Sequence, residues 1–161
     1  MKFIAYILSV VFSLVINIII AQNTQQEMMA KLRFMTGEWI GTSSGFNDNG
    51  EITNQVSAFQ NIQYGLGKSV IIIDLNSESL QLHTVIHYDE KEQSYYYHPF
   101  SKRGSRKLPA EFIDGKLIVN ASANSRFIFE RLGEKEFREY GEKLIDNQWV
   151  KSFEDKFIDT Q

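Results

Sequence analysis

The sequence predicts an all-β domain, an antiparallel barrel of about ten strands behind a short N-terminal helix. Three observations lead there. Short segments rich in β-branched and aromatic residues recur at roughly ten-residue spacing, separated by Asn, Asp and Gly, the pattern of a sandwich or an up-and-down barrel. Twelve Phe and seven Tyr raise the aromatic content, and aromatic side chains favour strands. Helical periodicity is confined to one short stretch, so a βαβ architecture has no support.

Thr24-Gln25-Gln26-Glu27 has the form of a capping box. Met28, Leu32 and Met35 follow at spacings of four and three, giving one apolar stripe, and Gly37 stops the helix. This helix reads as a plug or lid packed on the domain. Strands are predicted from Glu38 to Ser43 and, after the turn Asn47-Asp48-Asn49-Gly50, from Gln55 to Tyr64. Ser69 to Leu75 carries the β-branched run Val70-Ile71-Ile72-Ile73. Leu82 to Tyr88 and Ser94 to Phe100 flank a polar turn, and Lys107 to Ile113 and Lys116 to Ala121 flank Asp114-Gly115. Arg126 to Leu132 and Glu136 to Leu144 flank Gly133-Glu134, and Trp149 to Ile158 closes the series after Asp146-Asn147.

Composition narrows the function classes. With 161 residues the chain suits one domain with a core of its own. Seventeen basic residues oppose 20 acidic ones. Without Lys2 the count is 16 against 20, a balance that argues against nucleic-acid binding. Cysteine is absent, which excludes disulfides, thiolate metal sites, cysteine nucleophiles and a cysteine-linked lipid anchor. Met1-Lys2 supplies a positive start, Phe3 to Ile20 is apolar apart from Ser9, Ser13 and Asn17, and Ala21 precedes a polar run. This layout predicts a signal peptide over residues 1–21 and a barrel domain over 22–161, with no membrane span after cleavage. An uncleaved anchor is the competing reading, because about 18 apolar residues just span a bilayer. Either way the domain lies outside the cytoplasm, in the periplasm or the extracellular space.

Three features resemble one family. Gly37-Glu38-Trp39 opens the first strand behind a short helix, as the G-x-W element does in lipocalin-like barrels. Val85-Ile86-His87-Tyr88-Asp89, a polar turn and Tyr95-Tyr96-Tyr97 look like the central hairpin of a bacterial family of secreted lipocalin-like proteins of unknown function. Tyr140-Gly141-Glu142 through Trp149 and Phe153 looks like its closing hairpin. The resemblance spans residues 28–158. It implies a ten-stranded up-and-down lipocalin-like barrel, distantly related to fatty-acid-binding proteins and to the haem-binding barrel nitrobindin, and no defined activity. Nitrobindin-like proteins hold haem through a histidine late in the chain. Here the last histidine is His98, so that ligand has no counterpart, and no cofactor is expected.

The candidate chemistry is sparse. Gly41-Thr42-Ser43-Ser44-Gly45 matches G-x-S-x-G, but a nucleophile elbow needs a helix after the serine, and a turn follows here. No catalytic residue is assigned. If Tyr88 pairs with Tyr95, then His87 faces Tyr96, Val85 faces His98 and His83 faces Phe100, all on one side of the sheet. His83 and His87 then stand about 13 Å apart, too far to share one metal. His98 lies diagonally between them, with no carboxylate on this face of the hairpin to complete a site. If this side faces inward, His83, His87, Tyr96 and His98 form a ligand-binding group in a pocket for a small hydrophobic ligand. If it faces outward, they are surface residues. The basic loop Lys102 to Lys107 reads as solvated or as a contact for an anionic head group at a barrel mouth. Gly37, Trp39 and Trp149 are assigned structural roles, with both tryptophans buried at the closed end. Glu136, Glu139 and Glu142 read as near-surface strand carboxylates without a partner acid. A barrel filled by Phe59, Phe100, Phe112, Phe127, Phe129, Phe137, Phe153 and Phe157, acting as a structural or interaction domain, is the alternative to a ligand carrier. An enzyme with an unrecognised site is the third.

Overall fold

The computed structural model describes residues 25–78 and 80–161. The predicted signal peptide and the cap residue Thr24 lie outside the described residues. The strands are β1 (Gly37–Phe46), β2 (Ile52–Gly65), β3 (Val70–Ser77), β4 (Gln81–Asp89), β5 (Ser94–Ser101), β6 (Gly104–Ser105), β7 (Leu108–Ile113), β8 (Lys116–Ser122), β9 (Ser125–Arg131), β10 (Glu136–Ile145) and β11 (Gln148–Asp159). All pairings are antiparallel, and successive strands are neighbours except that β7 pairs with β5 rather than with β6. β6 is a two-residue pairing against the end of β5. The other ten strands form an up-and-down barrel that closes where β1 pairs with β11. Full closure leaves no open edge. The predicted fold class is therefore observed, with each predicted strand present and several longer at the end away from the helix.

Of the registers open to the central hairpin, the one with Tyr88 opposite Tyr95 is observed. Tyr88 pairs with Tyr95, His87 with Tyr96, Val85 with His98 and His83 with Phe100. The side facing the core carries Thr84, Ile86, Tyr88, Tyr95 and Tyr97, all buried.

A helical segment over residues 25–30 runs into a 3-10 turn at Lys31–Met35 and plugs one end of the barrel. The tighter turn changes the buried stripe. Residues three apart eclipse in a 3-10 turn, so Met29, Leu32 and Met35 are fully buried and Met28 packs at their edge. Three aromatic donors satisfy backbone carbonyls of the plug that its own turns leave over: Tyr95 Oη donates to Met28 O at 2.6 Å, Tyr64 Oη to Met29 O at 3.1 Å and Trp39 Nε1 to Met35 O at 2.7 Å. Beneath the plug, Trp39 meets Phe137 edge-on at 4.6 Å between ring centroids, and Phe137 stacks on Phe157 at 5.1 Å. Gly37 has φ +149°, and a Cβ there would press on the Trp39 indole at 3.3 Å. That contact explains why a glycine stands two residues before this tryptophan.

Trp149 corrects the prediction. It sits at the other end of the barrel, 38% exposed, with the Arg126 guanidinium 4.1 Å above its ring. A hairpin tip has no layer of structure outside it to bury an indole.

Candidate functional site

The inward residues of the barrel form layers. Phe137, Phe157, Ile62, Ile86 and Tyr95 belong to the plugged end and are at most 2% exposed. One inward position further along the same five strands stand Glu139, Asp155, Gln60, Thr84 and Tyr97. Strand alternation puts residues two apart on the same side, so this polar layer lies directly above the apolar plug. Beyond it opens a cavity of about 540 Å³. Its walls are apolar, with Ala58, Leu75, Leu82, Leu108, Phe127 and Phe153 among them. Its rim carries Asn54, Ser77, Ser101, Arg103 and Arg106. The cavity therefore has a polar floor, greasy walls and a partly basic mouth.

Glu139 and Asp155 are directly opposed across β10 and β11. Cross-strand partners hold their Cβ atoms about 5 Å apart. Gln60 Nε2 donates to Glu139 Oε2 at 3.4 Å, and the Ser43 hydroxyl bonds to the Asp155 carboxyl. Gln60 Oε1 and Asp155 Oδ1 are buried without a hydrogen-bond partner. Burial raises the Glu139 carboxyl well above its ordinary value, and the charge of Asp155 raises it further; the Gln60 bond opposes this only in part. Asp155 is raised by burial as well, against the Ser43 hydrogen bond. The pair titrates as one unit, and the two acids share one proton near neutral pH. Burial also pushes the Tyr97 hydroxyl upward, so it stays neutral. Around neutral pH the floor thus holds about one negative charge. Chemically it can accept hydrogen bonds, hold a cation, or pass a proton between two acids.

A glycine shapes the wall beside this pair. A Cβ on Gly141 would fall 2.1 Å from the Phe153 ring, so the glycine gives that ring its seat across the strand pair. The register shifts by one residue just after it.

The histidine face points outward. His83 is exposed, Nδ1 lies 2.6 Å from Asp74 Oδ1, and none of His83, His87, Tyr96 and His98 lines the cavity. His87 and His98 do come together, with ring centroids 5.1 Å apart, and His87 stacks on Tyr96 at 5.5 Å. Lys107 Nζ sits 3.6 Å over the Tyr96 ring, and the Tyr96 hydroxyl donates to Glu92. Burial lowers the His87 pKa, and Lys107 lowers it further against Asp89. Burial, His87 and Lys107 all lower that of His98. Both rings are thus biased to the neutral form. No group of three or more metal-ligating side chains occurs among the described residues.

The sequence reading missed the floor. Glu139 is 8% exposed inside the barrel, not near the surface, and it has a partner acid. The signal was present: Glu139 is two residues from Phe137, and Asp155 stands between Phe153 and Phe157. A strand whose aromatic residues face inward carries the acids at the same parity inward too. The G-x-S-x-G string forms part of the continuous strand β1, and its Ser43 faces the cavity. The basic loop brings Arg103 and Arg106 to the mouth, where Arg106 Nη2 donates to Ala121 O at 2.7 Å.

No family model matches the chain, and no curated protein matches it. Among solved structures, one similar chain is a protein of unknown function of the DUF3598 family from Nostoc punctiforme. It is 6% identical, and the match covers 82% of this chain and 98% of that one at a TM-score of 0.30. At that score the likeness says nothing about the cavity.

Proposed function

We propose that this protein is an exported lipocalin-like barrel that binds a small amphiphilic molecule in its interior. The cavity of about 540 Å³ carries the reading. Ligand pockets typically run from about 300 to 1,000 Å³, with mostly apolar walls and a few convergent polar groups. The apolar N-terminal segment supports export. Among the described residues the helix plugs one end of the barrel, and the cavity opens at the other, past Arg103 and Arg106. A barrel filled by its own side chains fits less well. Phe59 and Phe100 point outward at 42% and 45% exposure, Phe137 and Phe157 fill the plugged end, and Phe129 packs on Tyr97 at the floor.

Native mass spectrometry of the protein from its own cell envelope tests the reading. An added mass that disappears on delipidation supports it. Ala58→Phe, which places a ring in the cavity, should keep the fold and lose that mass. A bare polypeptide before and after delipidation overturns it.

A further inference from the structure

We propose that the cavity selects a ligand bearing a protonated amine, seated on Gln60, Glu139 and Asp155 with its apolar body along the walls. This rests on the ligand-binding reading and names the chemistry of the buried end. Three observations on the floor support it. Of the three buried floor atoms without a partner, Gln60 Oε1 and Asp155 Oδ1 can only accept, in residues 1% and 5% exposed, and the third, the Thr84 hydroxyl, can accept as well as donate. The amide donor of Gln60 that could meet an anion is already turned to Glu139 at 3.4 Å. No basic side chain lines the floor among the described residues; the basic residues that line the cavity are Arg103 and Arg106, at the rim.

An ammonium carries three donors and no acceptor, so it matches a floor of free acceptors. One such group also neutralises the single charge that the acid pair holds near neutral pH. A buried acceptor without a donor is destabilising, and the amine would relieve two at once. A carboxylate placed there would add a charge beside Asp155 and leave both acceptors unpaired. The floor therefore discriminates by sign. The other groups facing the pair are the hydroxyls of Ser43, Thr84 and Tyr97, which add no charge near neutral pH.

Three probes of matched shape test this: decylamine, decanol and decanoate, titrated calorimetrically into the full-length folded protein near neutral pH. Decylamine should bind at least about ten-fold more tightly than decanol, and decanoate most weakly. The variant E139Q/D155N should lose about ten-fold or more for decylamine while keeping decanol within about two-fold. Retained decanol binding shows that the cavity of the variant is intact. If decanoate binds as well as decylamine, or if E139Q/D155N leaves the amine unaffected, the amine assignment falls and the carrier reading stands. If none of the three binds, the amine assignment falls too, and a bare polypeptide mass from the cell envelope then removes the carrier reading with it.

Discussion

Glu154 and Asp155 are neighbours on β11 and almost equally buried, at 8% and 5% exposure, yet they belong to opposite regions of the molecule. Glu154 faces outward under a cluster of cations. Lys151 Nζ lies 2.6 Å away, Arg138 Nη1 3.1 Å and Lys156 Nζ 3.3 Å. Burial works against its charge, but the hydrogen bonds and charges of Lys151 and Lys156 outweigh it and hold the carboxyl below its ordinary range. Glu130 beside it behaves alike: burial is outweighed by Lys116, at 2.7 Å, and Arg138. Asp155 faces the cavity, where it meets Ser43 and Glu139 and makes no salt bridge among the described residues. Its pKa moves the other way. Burial alone does not set the charge state of these acids. The side of the strand decides which partners an acid meets, and those partners decide the sign.

The barrel's two halves repeat this contrast between a packed and an open environment. The largest expected effect lies in the plugged half. Phe137→Ala, between Trp39 and Phe157, should cost about 3–5 kcal/mol. Phe127→Ala on the cavity wall should cost about 1–2 kcal/mol, because one side of that ring already lacks neighbours. Urea denaturation of the two variants makes the measurement. Equal losses would erase the distinction between a packed half and an open one.

The interior acids come next. Both have folded pKa values raised above their ordinary ones, Asp155 to about 6 and Glu139 to about 8. Over that window the folded protein holds protons that the unfolded chain has released. Stability is therefore greatest below about pH 4 as far as this pair is concerned, and falls as pH rises through about 6 and then about 8. Thermal melts from about pH 5 to about pH 8 should show a decline worth about 2–4 kcal/mol, and E139Q/D155N should flatten it. A wild-type profile without the decline would mean that water or a bound cation already compensates the pair.

Glu154→Gln tests the outer face and should give the opposite sign. A depressed carboxylate stabilises above its unfolded pKa and loses that contribution as pH falls through the folded one. The variant should lose about 1 kcal/mol near neutral pH, since its cationic partners are partly exposed, and nothing in strong acid. Melts at the two pH values separate it from the interior pair. The smallest effect concerns the seal of the plug. Tyr95→Phe removes the bond to Met28 O and should cost about 1 kcal/mol or less. Its signature is local: amides over residues 25–30 should exchange faster while those of β10 and β11 do not.

Particular residues show how much was legible beforehand. The hairpin of β4 and β5 was legible from a polar turn between two strands, while Tyr88 opposite Tyr95 was one register among those the turn allows. The side that faces inward did not follow, because Thr84, Ile86 and Tyr97 look no more apolar on paper than Val85, His87 and Tyr96. The helix stripe was placed nearly right, and the 3-10 tightening that brought Met29 inward depends on the barrel end it must fit. Trp149 was misplaced because an indole is expected inside, and nothing local marks which end of a barrel a hairpin reaches. Glu139 and Asp155 lie 16 positions apart in the chain, and only the pairing of β10 with β11 shows them to be opposed.

The strands, their order along the chain and the helix in front of them were readable from the residues alone. These depend on turn chemistry, alternation and propensity over a few residues. Barrel closure decided the rest. It turned one face of every strand inward, set a polar layer over an apolar plug, left the far half open, and buried two acids together with no cationic partner among the described residues. Those outcomes depend on which distant strands meet, and on whether the inward side chains of ten strands have enough volume to fill the space they enclose.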